Sequence, residues 1–249
     1  MKAGIVVPRS LCFVVAALLG LMVPGGCMAG GNETAEVARR RMVDQQLRAR
    51  DIVDPRVLAV MGRVPRHLFV EPAMEPFAYE DRPLSIGAGQ TISQPYIVAL
   101  MTQLLQVQPS YRVLEVGTGS GYQAAVLAEL AAHVYTIEII PSLAEGARAR
   151  LEALGYRNVH VRQGDGYEGW REFAPYDAIV VTAGAPQIPP PLIEQLREGG
   201  RMAIPVGGAM ATQELVLGEK QGGRLQTRSV APVLFVPLTG KGGGQQERR

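Results

Sequence analysis

Cysteine is almost missing from this 249-residue chain. Cys12 and Cys27 are the only two, and both lie in the first 27 residues. The remainder therefore carries no thiol nucleophile, no disulfide and no cysteine-based metal site. Charge of one sign is missing too. The formal net charge is +2 and the acidic and basic residues are interspersed, so neither nucleic acid nor an anionic membrane is expected as the main partner. The one short basic run, Arg39-Arg40-Arg41, reads as a solvated flank. A membrane-spanning run is also lacking: the apolar stretch from Leu11 to Val23 is too short to cross a bilayer comfortably. What is present, 47% hydrophobic and 19% charged residues, is the composition of a globular domain with a real core.

Lys2 and Arg9 precede that apolar stretch, which fits the core of a signal peptide. Pro24-Gly25-Gly26-Cys27 loosely resembles a bacterial lipoprotein cleavage box, in which Pro24 sits badly. The alternative is a later translation start, because Met42 opens MVDQQLRARDI, a natural amino terminus. Residues 1–26 are thus either a leader or a misplaced start. A single domain is expected over 34–240, followed by a disordered tail over 241–249.

Residues 34–80 read as helical, with Met42, Leu47, Ile52 and Val57 alternating with charged positions and Asp54-Pro55 suited to a helix start. The segment Val64 to Val70 breaks that pattern, and its lone His67 is read as a surface or packing residue. Pro95 can open a helix over Tyr96 to Leu105, which puts Ser93 just before a helix N-terminus. There Ser93 can serve as an ordinary N-cap or face an anion drawn by the free N–H groups. From Tyr111 on, strands and helices alternate. Strands are expected at Val113–Val116, His133–Ile139, Val159–Arg162, Tyr176–Thr182 and Arg201–Val206, with helices over Gln123–Ala131, Pro141–Leu154 and Pro189–Leu196 between them. Three more strands are expected at Glu214–Leu217, Leu225–Val230 and Val233–Val236, with a Gly222-Gly223 turn. The predicted fold is an α/β doubly wound, mostly parallel Rossmann-like sheet, an α/β/α sandwich, with an N-terminal helical addition.

The first of those strands runs into glycines at alternate positions, Gly117, Gly119 and Gly121. A dinucleotide fingerprint would place its third glycine one residue later, and no Lys-Ser/Thr follows to make a P-loop. The form E-x-G-x-G-x-G after a strand is similar to that of S-adenosylmethionine sites. That cofactor carries an ammonium and a sulfonium, so a carboxylate such as Glu115 beside the loop is useful rather than repulsive. Glu138, near the end of the second strand, suits ribose hydroxyls. Asp165, after the third, could accept from an adenine amino group, with Gly166 offering a backbone donor. These carboxylates, at three successive strand ends, converge on one crevice.

Methyl transfer is an in-line displacement, so the protein must mainly position a nucleophile and exclude water. The Asn/Asp-Pro-Pro-aromatic turn of enzymes that methylate base amino groups is replaced here by Thr182-Ala183-Gly184-Ala185-Pro186. No cysteine is available for attack on a pyrimidine, and no histidine is suggestively placed. An acceptor that needs no base, a carboxylate ionised well below pH 7, fits best.

Six blocks then carry a resemblance: GQTISQP (89–95), VLEVGTGSGY (113–122), GDG (164–166), PYDAIVVTA (175–183), EGGRMAIPVG (198–207) and FVPL (235–238). From about Met42 to Leu238 the chain resembles the bacterial-type protein-L-isoaspartate O-methyltransferases. The glycine loop is shared by many methyltransferases, whereas TISQP and FVPL are specific to this family. The resemblance implies methylation of the free α-carboxylate of L-isoaspartyl residues in damaged proteins and peptides, with reclosure of the ester to a succinimide. It makes Ser93 the active-site serine, orienting the substrate carboxylate rather than attacking it. Thr91 and Ile92 would line the same pocket, and FVPL would help form a peptide groove. It implies no metal and no nucleic-acid partner; a monomer working in the cytoplasm is expected, or an exported or membrane-anchored protein if the leader is real. The alternative acceptors are small molecules or nucleic acid on the same fold. A noncatalytic binding protein is disfavoured by the intact glycine loop, Glu138 and Asp165.

Overall fold

The computed structural model describes residues 34–208 and 211–241. The stretch 1–26 and all but Lys241 of the expected tail lie outside the described residues.

The N-terminal addition is helical, though less regular than its pattern suggests. Helix α1 (Ala35–Met42) widens into a π-helical segment, Val43–Arg48, and α2 (Pro55–Met61) follows. Asp54 caps α2 by accepting from the Arg56 N–H at 2.8 Å. Two 3-10 turns, Arg66–Phe69 and Pro72–Phe77, take the place of further α-helix, where Pro65, Pro72 and Pro76 cannot donate to an α-helical ladder. The apolar positions that gave the helical reading, Met42, Leu47, Ile52 and Val57, are all buried. A two-residue ribbon, β1 (Leu84–Ser85) paired with β2 (Thr91–Ile92), then leads into α3 (Pro95–Leu105).

The rest is a seven-stranded sheet. In chain order it comprises β3 (Arg112–Val116), α4 (Tyr122–Ala128), β4 (His133–Glu138), α5 (Pro141–Ala153), β5 (Val159–Gln163), β6 (Tyr176–Val181), α6 (Pro190–Gln195), β7 (Leu196–Val206), β8 (Gln213–Gln221) and β9 (Arg224–Val233). The spatial order is β5-β4-β3-β6-β7-β8-β9. The first five strands in that order run parallel, and β8 and β9 are antiparallel additions. This is the doubly wound, mostly parallel fold with an N-terminal helical addition.

The central strands are apolar because both faces are covered. Val113, Val134, Ala178 and Val180 pack under the helical addition, α3 and α4. Leu114, Val116, Ile137, Ile179 and Val181 pack on the opposite face, against α6 and Trp170. Glu115 shares the first face with Val113 and is the one charged residue among those of β3 that are buried.

The C-terminal strands differ from expectation. Leu225–Val230 and Val233–Val236 were expected to be separate, yet β9 runs unbroken from Arg224 to Val233 along β8. A bulge absorbs the irregularity: Leu215 pairs with Ala231 and Val216 with Ser229, leaving Val230 unopposed. Beyond Val233 the chain leaves β8 and crosses to Gly184, whose N–H donates to the Val236 carbonyl at 2.8 Å and whose carbonyl accepts from the Leu238 N–H at 2.7 Å.

Candidate active site

Strand order reverses between β3 and β6, and a crevice opens there at the carboxyl ends of the strands. The glycine loop forms its floor. Gly117 and Thr118 donate their N–H groups to the Ile137 carbonyl at 2.9 and 3.2 Å, folding the loop onto β4. Gly117 has φ +98°, and a Cβ there would lie 2.5 Å from Thr182 Oγ1. Gly166 is as tightly placed, since its Cβ would meet Val116 at 2.4 Å. At both points only a bare backbone can line the crevice.

The crevice is open to solvent, with a cavity volume of about 80 Å³. It brings together Thr91, Ile92, Ser93, Glu115, Gly117, Gly119, Glu138 and Gly166. Two residues expected in the site do not line it. Gly121 turns toward α5, where its Cβ would lie 3.1 Å from Leu151, so it serves helix packing. Asp165 caps the turn that follows β5: one oxygen accepts from the Tyr167 N–H at 2.9 Å, the other from the Lys241 N–H at 2.8 Å.

Glu138 is buried, and each of its oxygens accepts one backbone N–H, from Gly119 at 2.8 Å and from Ile140 at 3.0 Å. One acceptor site per oxygen is left for a ligand. Glu115 is fully buried and neither carboxyl oxygen has a hydrogen-bond partner. Burial pushes its pKa up to about 8; the neighbouring Thr136 works against that rise and the charge of Glu138 adds to it. The Thr136 hydroxyl is engaged with that of Thr118 at 2.6 Å. Among the described residues no lysine, arginine or histidine lines the crevice. Two carboxyl groups and no cationic side chain make a site for a ligand that brings its own positive charge.

Ser93 stands two residues before Pro95, the first residue of α3. The N-cap position belongs to Gln94, without a side-chain cap bond, so the ordinary capping role for Ser93 does not hold. A second cleft, lined by Pro83, Ile97, Leu234 and Phe235 among others, adjoins the crevice. Thr91, Ser93, Thr182 and Val236 belong to both. The segment 234–238 that walls the second cleft is held by Gln213. Its Oε1 accepts from the Phe235 N–H at 2.8 Å and its Nε2 donates to the Phe235 carbonyl at 3.1 Å. Gly184 is the matching bare spot, where a Cβ would lie 2.4 Å from Gln213 Nε2.

Thr182, Gln213 and Gly184 were missed in the sequence. Thr182, whose hydroxyl donates to the Gly117 carbonyl at 2.6 Å, could have been found as the first polar residue after the apolar run of β6. Nothing local marks Gln213. His67 lies outside both clefts, with its Nδ1 2.7 Å from the Tyr79 hydroxyl. Among the described residues no cluster of His, Cys, Asp and Glu could hold a metal ion.

Residues 37–243 match the family described as protein-L-isoaspartate(D-aspartate) O-methyltransferase. The chain is 56% identical over 238 residues to protein-L-isoaspartate O-methyltransferase 2 of Syntrophobacter fumaroxidans, covering 92% of this chain and 96% of that one. It is 65% identical over 190 residues to the enzyme of the same name from Polaromonas, covering 76% and 90%. A solved protein-L-isoaspartate O-methyltransferase superposes with a TM-score of 0.75 at 31% identity, covering 82% of this chain and 67% of that one. A Plasmodium falciparum protein, a candidate protein-L-isoaspartate O-methyltransferase solved with S-adenosyl-L-homocysteine, gives a TM-score of 0.71 at 27% identity, covering 81% and 98%. The chain belongs to the protein-L-isoaspartate (D-aspartate) O-methyltransferase family.

Proposed function

We propose that the crevice holds S-adenosylmethionine, that the adjoining cleft holds an isoaspartyl peptide, and that Ser93 positions the acceptor where the two meet. The reaction is methylation of the free α-carboxylate of L-isoaspartyl residues in damaged proteins. The observation that carries the proposed arrangement is the wall shared by both clefts, Thr91, Ser93, Thr182 and Val236. The donor, when bound, supplies a methyl group on a sulfonium centre.

The residues divide the remaining work. The substrate carboxylate is already ionised at neutral pH and needs no general base. The Ser93 hydroxyl makes no hydrogen bond among the described residues, so it is free to donate to that carboxylate. The N-terminal end of the 11-residue α3 adds a favourable field for an anion. With no partner to activate it, Ser93 is an orienting group, and the gain is one of proximity and alignment. Glu138 offers its remaining acceptor sites to ribose hydroxyls, and Gly117, Gly119 and Gly166 let the cofactor approach the backbone. Asp165 supports this floor from its turn. Gln213 holds the segment 234–238 as one bank of the peptide groove. Residues 34–240 act as one methyltransferase domain. The reaction belongs in the cytoplasm, where the donor is made; no helix among the described residues is long and apolar enough to cross a membrane.

Ser93→Ala tests this division. Methylation of an isoaspartyl peptide is expected to fall at least tenfold, while the Kd for S-adenosylmethionine in the absence of peptide stays within about twofold. Loss of cofactor binding in this variant would contradict the role given to Ser93.

A further inference from the structure

Glu115 has a property that cofactor binding by itself does not require. It sits inside a seven-stranded sheet, fully buried, and lines the crevice; among the described residues neither carboxyl oxygen has a geometric hydrogen-bond partner, and only the Thr136 hydroxyl beside it favours its charged form. Its strand neighbours in register are Thr136 and Val180. The ionisable groups on this face are few. Glu138 on β4 is the charge that bears on it. Tyr122 on α4 is held neutral by burial, beneath the Arg66 guanidinium at 4.9 Å. Arg150 on α5 is turned to the Ser120 carbonyl at 2.8 Å. Among the described residues no side-chain cation is positioned to pair with Glu115, and an unpaired charge buried this deeply is strongly disfavoured. In the ligand-free protein the carboxyl therefore keeps its proton at pH 7, in line with a pKa pushed up to about 8.

We propose that Glu115 reads the charge of the ligand: it releases its proton when a sulfonium-bearing donor enters the crevice and takes one back when only a neutral thioether remains. The inference rests on the reading of the crevice as an S-adenosylmethionine site. The balance closes. On entry, the O–H bond of Glu115 breaks, its electron pair stays on oxygen, and the proton goes to solvent. In the transfer, the substrate carboxylate supplies the pair for the new O–CH3 bond, while the pair of the breaking S–CH3 bond stays on sulfur. No proton is made or consumed in that step. The Glu115 carboxylate then faces no sulfonium and regains a proton from solvent. The consequence is selectivity: methyl donor and demethylated product differ by one charge, and Glu115 turns that difference into unequal affinity.

The test is titration calorimetry on the whole chain at pH 7, with S-adenosylmethionine and S-adenosylhomocysteine, in two buffers of different ionisation enthalpy. Close to one proton released per donor bound, and close to none per thioether, is expected. Between pH 6 and 7, below the titration of an α-amino group, donor affinity should rise about tenfold and thioether affinity stay flat. Glu115→Gln should abolish both the proton count and the pH dependence. Donor binding without proton release, or equal release by both ligands, would overturn the inference and leave the cofactor reading standing. No donor binding at any pH would overturn the cofactor reading itself.

Discussion

At the scale of single residues, the buried Glu115 lowers stability as pH rises. Its carboxyl holds a proton up to about pH 8 when folded, whereas the ordinary value is 4.5. Below pH 4.5 both states are protonated and nothing is lost. As pH rises from 4.5 to 8 the unfolded chain releases the proton and the folded one does not, so ligand-free stability falls across that window and then levels. At about 1.36 kcal/mol per unit the loss has an upper bound on the order of 5 kcal/mol. Denaturant unfolding at pH 5 and pH 8 should show Glu115→Gln gaining on the native sequence by a few kcal/mol at the higher pH. Equal pH slopes for the two proteins would contradict this. Glu115 was visible in the sequence as the one interruption of an apolar strand. Its burial without a cationic partner was not visible, because that depends on what the folded sheet and helices place around it. For Ser93 the sequence left open whether it caps α3 or faces a ligand. The backbone decides against the cap, because the N-cap position falls one residue later, on Gln94.

At the scale of elements, Gln213 holds Phe235 while Gly184 holds Val236 and Leu238, and together they fix the segment 234–238. Gln213 is 1% exposed and satisfies both the N–H and the carbonyl of Phe235. Gln213→Ala leaves those two groups unpaired and should destabilise the protein by about 2–3 kcal/mol. The peptide KM should rise several-fold, with the donor Kd little changed. A donor Kd that moves as far as the peptide KM would contradict a role confined to the groove. This clamp was illegible because Gln213 and Phe235 are 22 residues apart and meet only through the β8–β9 pairing. The parallel strands were legible because burial on both faces leaves continuous apolar runs such as Tyr176–Val181. The strand β9 was not, since a bulge near Val230 shifts its register and Pro232 reads as a break. The helical addition was legible in its buried positions and not in its geometry, which prolines divide into short turns.

At the scale of the whole molecule, a doubly wound sheet places the crevice and its adjoining cleft side by side. The crevice lies where strand order reverses, the position at which such sheets bind ligands. The glycine loop, β1–β2 and the segment 234–238 come from three distant parts of the chain and converge there. That convergence explains why one block of sequence could point to a cofactor but not to an acceptor. Exclusion of other acceptors pointed to a carboxylate and the resemblance carried by TISQP and FVPL to a peptide, while the shared lining of Thr91, Ser93, Thr182 and Val236 is a property of the folded chain. Methyl transfer to an isoaspartyl peptide, measured beside its aspartyl twin of identical sequence, tests the central claim most directly. The account predicts labelled methyl on the isoaspartyl peptide alone. Equal label on both peptides, or none on either, would contradict it.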